Sequence, residues 1–291
     1  MNYQLKNDKL TVTVASLGAE ILSVKRGDTE YMWQRDPQYW KGTAPVLFPF
    51  CGRSWDNVYT YGDKTFEMAN HGFARRTEYT ATEATDEKLV LVLEGNEATK
   101  VFYPFDFLLT VTYMLDGDTL KSTITVKNTD NTTLPFSVGL HPGFNLPLQE
   151  GVSLEDYYIE FAEECQPTHV IFSDACYTTD ERRPYPVEGK KLPLRHAMFD
   201  NDAVILENIA RSVTLKCDNA KRFVKFDFPD MSYMGLWHAP KTEAPYVCIE
   251  PWCSLPAMHG VIDKLETKAG LFRTAPGEVK TVSYAITFGE C

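Results

Sequence analysis

Along much of this chain, apolar side chains recur at every second residue. Leu10, Val12 and Val14 alternate with Thr11 and Thr13, and Phe107, Leu109, Val111, Tyr113 and Leu115 run through one later segment. Leu120, Ile124 and Val126 alternate with Lys121, Thr123, Thr125 and Lys127, and near the end Val282, Tyr284, Ile286 and Phe288 do the same. A period of two puts the apolar residues on one face of an extended strand, so these segments are predicted strands. Asp116-Gly117 falls between two of them and signals a tight hairpin. Residues 128–133 form a polar loop, and Pro276-Gly277 turns the chain into its last strand. No long stretch has a convincing 3.6-residue period. No internal repeat, low-complexity linker or sharp compositional boundary divides the 291 residues. The prediction is an all-β fold, a large antiparallel β-sandwich, with residues 1–291 as a single domain; all-β units reach roughly 200–250 residues without dividing.

Composition narrows the function. The formal net charge is −11, which removes any general attraction to phosphate backbones, so no nucleic-acid partner is expected. The polar first ten residues make neither a signal peptide nor an anchor. The longest apolar run, residues 44–51, is broken by two prolines and falls far short of the ~18 residues of a membrane span. Seven cysteines, an odd count with no C-x-x-C pair, fit reduced thiols and a cytoplasmic setting. The His and Cys residues lack metal-ligand spacing, so no metal is expected. A Gly-rich phosphate loop and a G-x-S-x-G elbow are both absent.

Four short segments carry candidate chemistry: Arg53 in F-P-F-C-G-R, His71 and Arg75 in N-H-G-F-A-R, His141 in G-L-H-P-G-F-N-L and Glu250 in C-I-E-P-W. A histidine beside Gly or Pro can simply mark a turn. Glu250 is more informative, because it follows the apolar run Tyr246-Val247-Cys248-Ile249 and precedes Pro251-Trp252. A carboxylate at the end of a buried strand is partly desolvated, which raises its pKa and suits proton transfer near neutrality. The alternative for Glu250 is an ion pair with an arginine.

Taken together and in this order, the four segments resemble the aldose 1-epimerase (galactose mutarotase) family, and in particular its bacterial LacX-like branch. The likeness extends to L-G-A-E-I-L-S-V at residues 17–24, W-Q-R-D-P-Q-Y-W at 33–40, F-D-N-D-A-V-I-L at 199–206 and G-L-W-H-A-P at 235–240. The resemblance implies a β-supersandwich enzyme that interconverts the α and β anomers of an aldose and needs no metal or other cofactor. Its partner would be a small sugar. Mutarotation opens the pyranose ring to the aldehyde, lets C1–C2 rotate and closes the ring on the other face. That chemistry needs a base for the C1 hydroxyl proton and an acid for the departing ring oxygen.

Carried over from the family, Glu250 is the base and His141 the acid, with roles reversed on closure. His71 would hydrogen-bond the ring oxygen or a neighbouring hydroxyl, and Arg53 would hold a hydroxyl with its planar fork of donors. Trp237 and Phe144 are candidates for an apolar wall or for core packing. Galactose-specific relatives have an Asp on a later strand that contacts the sugar; Asp200 and Asp202 are the candidates here, with Asp202 favoured. Arg75 is either a cleft residue or part of a structural ion pair. If residues 72–76 form a strand, Arg75 and Arg76 point to opposite faces and only one, Arg75, reaches the cleft. His238 is expected at the surface, and His169, His196 and His259 lack matched motifs.

The family reading leaves two alternatives: a mutarotase for hexose 6-phosphates gripping phosphate through Arg53, Arg75 and Arg76, and a non-catalytic carbohydrate-binding sandwich. A glycosidase would need two flanking carboxylates, and only Glu250 sits in such a motif.

Overall fold

The computed structural model describes residues 1–290. Two large antiparallel sheets dominate. One is 9-stranded, in the order Lys191–Pro193, Tyr158–Phe161, Ser212–Lys216, Arg222–Asp227, Val279–Glu290, Thr119–Asn128, Phe107–Asp116, Lys88–Glu94 and Thr80–Ala84. The other is 8-stranded and runs from Thr178–Pro184 through Thr168–Phe172, Val204–Glu207, Tyr233–Trp237, Tyr246–Trp252 and Gly139–Leu140 to Val46–Leu47, with Gly143–Asn145 also paired to Tyr246–Trp252. A 4-stranded sheet is made from the first thirty residues. The single α-helix among the described residues, Glu97–Lys100, is one turn long, and no helix is long and apolar enough to cross a membrane.

The alternating residues do what their period requires. Leu109, Val111 and Tyr113 are buried, as are Ile124 and Val126 across from them and Val282, Ile286 and Phe288 on the next strand. They meet Val247, Ile249, Met234 and Leu236 of the other sheet in one large core. The hairpin expected at Asp116-Gly117 forms, with Asp116 paired to Thr119 and Gly117 at φ +59°. Glycine takes that left-handed conformation without a Cβ penalty.

The strand Tyr246–Trp252 is buried along its whole length. Val247 and Ile249 enter the main core, so by alternation Tyr246, Cys248, Glu250 and Trp252 face the opposite side of the sheet. That opposite side carries the site.

Candidate active site

Strand pairing explains why His141 meets Glu250. Gly139 pairs with Trp252 and Gly143 with Cys248, both antiparallel to the same strand. Register carried through from one pair to the other sets His141 directly across from Glu250. The strands Gly139–Leu140 and Gly143–Asn145 stop on either side of this position, where the Pro142 carbonyl accepts from Ile249 N–H. Directly opposed residues on one face bring their side chains together, and His141 Nε2 lies 3.3 Å from Glu250 Oε2. On the far side Glu250 is paired with Gly235. A Cβ on Gly235 would lie 3.2 Å from Glu250 Cβ and 3.0 Å from Ile205 Cδ1, so glycine leaves room for the carboxyl.

His71 reaches the same place by a turn. The residue itself has φ +64° and Gly72 has φ +74°. Phe48 O accepts from both Phe73 N–H and Ala74 N–H beneath them. His71 N–H donates to Gly52 O, and Gly52 N–H donates back to His71 Nδ1 at 3.0 Å. The histidine is therefore tied twice to the segment that carries Arg53. Burial, and next to it the neighbouring His141, lower the His71 pKa well below its ordinary value. The ring is neutral, its Nδ1 is engaged as an acceptor, and Nε2 carries the proton as a donor.

These groups line a cavity of about 290 Å³, at the small end of ligand pockets. Arg53, His71, Arg75, His141, Asp202, Trp237 and Glu250 all face it. Glu250 and His141 are 2% and 7% exposed, whereas Arg53 is open to solvent, so the acid–base pair sits at the deep end and Arg53 at the mouth. Asp202, held at φ +79°, accepts from Trp237 Nε1–H at 2.9 Å; Asp200 is exposed and outside the cavity. Of the two aspartates, Asp202 has the placement to touch a ligand.

Burial sets the charge of the pair. The Glu250 carboxyl is pushed well above its usual range by desolvation and then by Asp202, with Arg75 opposing. His141 is brought down to about 3 by desolvation and then by Arg75. Both shifts favour the uncharged forms, a protonated carboxyl beside a neutral imidazole.

Several expectations need correction. Residues 74–76 form a 3₁₀ turn and not a strand, because Gly72 and the clamp on Phe48 O curl the chain away from extended geometry. Arg75 and Arg76 consequently both line the cavity. Among the described residues, Arg53, Arg75 and Arg76 make no ion pair, which removes the structural salt bridge considered for Arg75. Glu250 likewise pairs with His141 and not with an arginine. Phe144 is fully buried against Phe226 in the core and forms no cavity wall. His238 is 0% exposed: its Nε2 is 3.0 Å from His196 Nδ1 and its ring packs on Phe199. It lies just past the end of the strand Tyr233–Trp237 and is held inside by these contacts instead of facing solvent.

Other cavity residues carried no local signal. Trp40 stacks on His141 with ring centroids 4.7 Å apart, and Trp252 meets His71 edge-on at 5.8 Å. Both tryptophans belong to quoted motifs, yet nothing in their neighbours marks them as lining. Cys176, Phe172 and Asn70 are also part of the wall. Cys248, behind the cavity, was also unmarked; its Sγ lies with nitrogen and oxygen atoms of His141 and Glu250 in a group whose members are all within 4.8 Å of one another.

Comparison with known proteins places the chain among relatives of known family. A family model for aldose 1-epimerase matches residues 1–269. The chain is 33% identical to the chromosomal LacX protein of Lactococcus lactis subsp. lactis over 298 aligned positions, covering 99% of each. It superposes with a TM-score of 0.94 on a galactose mutarotase related enzyme from Lactobacillus acidophilus, at 34% identity over 100% of this chain and 98% of that one. A galactose mutarotase-like protein from Lactobacillus casei ATCC 334 also gives a TM-score of 0.94, at 30% identity over 99% and 100% of the two chains.

Proposed function

This chain belongs to the aldose 1-epimerase family, and on that premise we propose that it is a mutarotase that opens and recloses the pyranose ring of an aldohexose through His141 and Glu250. The observation that carries the reading is the 3.3 Å contact between these two groups at the closed end of the cavity. A pair holding one proton can act as acid and base at once. A sugar hydroxyl that donates to Glu250 stabilises the carboxylate and shifts the proton to His141. Glu250 then takes the C1 hydroxyl proton while His141 protonates the ring oxygen. The aldehyde forms, C1–C2 rotates, and the same transfers run backwards on the other face. The proton count of the pair is unchanged over the cycle, so none need enter from solvent.

In this reading His71 donates to the ring oxygen or an adjacent hydroxyl, Trp237 and Trp40 face the sugar's C–H surface, and Asp202 and Arg53 hold hydroxyls near the mouth. The whole chain acts as one unit, supported by the match to LacX along 99% of both sequences. A cytoplasmic setting is supported by six described cysteines that are all free. The test is polarimetry on freshly dissolved α-glucose and α-galactose. The optical rotation should relax to equilibrium faster with protein than without it. A relaxation rate independent of protein concentration would leave a binding protein in place of an enzyme.

One observation favours a second reading, a mutarotase for hexose 6-phosphates: three cavity arginines without an anionic partner. Arginine forks chelate phosphate well. The first reading expects glucose to be processed at least as efficiently as glucose 6-phosphate. It also expects Arg75→Ala to reduce both, because Arg75 acts electrostatically on Glu250 and His141. A strong wild-type preference for the phosphate form, erased by Arg75→Ala or Arg53→Ala, would replace the neutral sugar with the phosphorylated one.

A further inference from the structure

We propose that His141, Cys248 and Glu250 form a binding site for a thiophilic divalent cation of the Zn²⁺ class, which shuts down the site by occupying its acid–base pair. Cys248 and Glu250 are two residues apart on one strand and so share a face, and His141 stands across from Glu250. Their ligand atoms all lie within 4.8 Å of one another. Zn²⁺ bonds of about 2.0–2.3 Å need donors somewhat closer than this, a closure of roughly an ångström by side-chain rotation. All three residues are buried, at 7%, 0% and 2% exposure. The His141 Nδ1 has no hydrogen-bond partner, an orphaned polar atom in a buried ring.

The donor set selects the ion. A thiolate, an imidazole and one carboxylate suit a borderline-soft metal in tetrahedral coordination, whereas Mg²⁺ and Ca²⁺ want oxygen donors in greater number. Charge fits too. Thiolate and carboxylate together neutralise a dication, and imidazole binds neutral, so the buried complex carries no net charge. The thiol proton and the proton shared by His141 and Glu250 leave to solvent as the metal enters, making occupancy stronger at higher pH. His141 and Glu250 line the cavity, which is the ion's way in. With the metal present, Glu250 can no longer accept a proton from C1 and His141 can no longer donate one, so metal and sugar compete. Only this inhibitory consequence rests on the mutarotase reading.

Co²⁺ titration of the purified protein tests the site without reference to activity. Wild type should show a sulfur-to-cobalt charge-transfer band and tetrahedral d–d bands, removed by Zn²⁺ and unaffected by Mg²⁺. Both Cys248→Ala and Cys248→Ser should lose the charge-transfer band; the serine variant preserves volume should alanine unfold the strand. In the anomerisation assay Zn²⁺ should raise the apparent KM for the sugar. Each Cys248 variant, measured against its own metal-free rate, should need at least about tenfold more Zn²⁺ for the same inhibition. A missing band in wild type, a band that persists in folded Cys248 variants, or equal Zn²⁺ sensitivity with and without the thiol would each overturn the proposal. A band that depends on Cys248 in a protein that does not accelerate anomerisation would keep the metal site and remove the mutarotase.

Discussion

Glu250→Gln should slow anomerisation by roughly 10²–10⁴-fold, the usual share of a positioned acid or base, with the melting temperature little changed. The amide is nearly isosteric with the protonated carboxyl that burial favours at this position. It can donate toward His141 Nε2 as the acid would, so packing and polar satisfaction survive while proton transfer is lost. His141→Ala should produce a similar loss of rate but also some loss of stability, because Trp40 and Trp237 pack against the imidazole at 4.7 and 5.5 Å. Polarimetric rates beside thermal unfolding curves check both. A Glu250→Gln protein with wild-type rates and a normal melt would remove the residue from the mechanism.

Gly72→Ala should be among the most damaging single methyl additions in the chain. The new Cβ would lie 2.0 Å from Phe48 O and 2.5 Å from its carbon, a clash with backbone that no rotamer relieves. The φ of +74° adds about 1–2 kcal/mol of left-handed strain for a non-glycine residue. Overpacking adds about 1–3 kcal/mol for a total of about 2–5 kcal/mol, a fall in Tm of roughly 3–8 °C for a chain of this size. Gly277→Ala is the control. Its φ is +79° but nothing stands within 4 Å of the added atom, so only the strain remains. Equal melting temperatures for the two variants would show that the turn around His71 yields more readily than its contacts imply.

The strands were legible because one face of each is buried, and burial writes itself into sequence as alternation. The segments around Phe107–Asp116, Thr119–Asn128 and Val279–Glu290 could be read directly for that reason. The pairing of His141 with Glu250 was beyond such reading, since it depends on register between strands about a hundred residues apart. The turn at Ala74–Arg76 was missed because its cause is remote: the carbonyl of Phe48 caps it, and no nearby residue announces that. The relation between Cys248 and Glu250, by contrast, was there to be read. Two residues apart in a run with strand character, they had to share a face, and the missing knowledge was only which other side chain would join them.

The double tie between His71 and Gly52 has a consequence for which kinetic constant this residue governs. With Nδ1 engaged, His71 offers a ligand only a hydrogen to share, never a lone pair. The ring oxygen of a closed sugar is an ether, and the same atom in the open chain is a hydroxyl; both present lone pairs. Under the proposed placement that fixed N–H bonds an oxygen that gains electron density as its bond to C1 breaks, so the contact tightens toward the transition state. An interaction that is stronger in the transition state than in the bound sugar lowers the barrier between them. His71 then acts on the speed of the filled site together with the pair behind it, and its loss should lower kcat more than it raises KM.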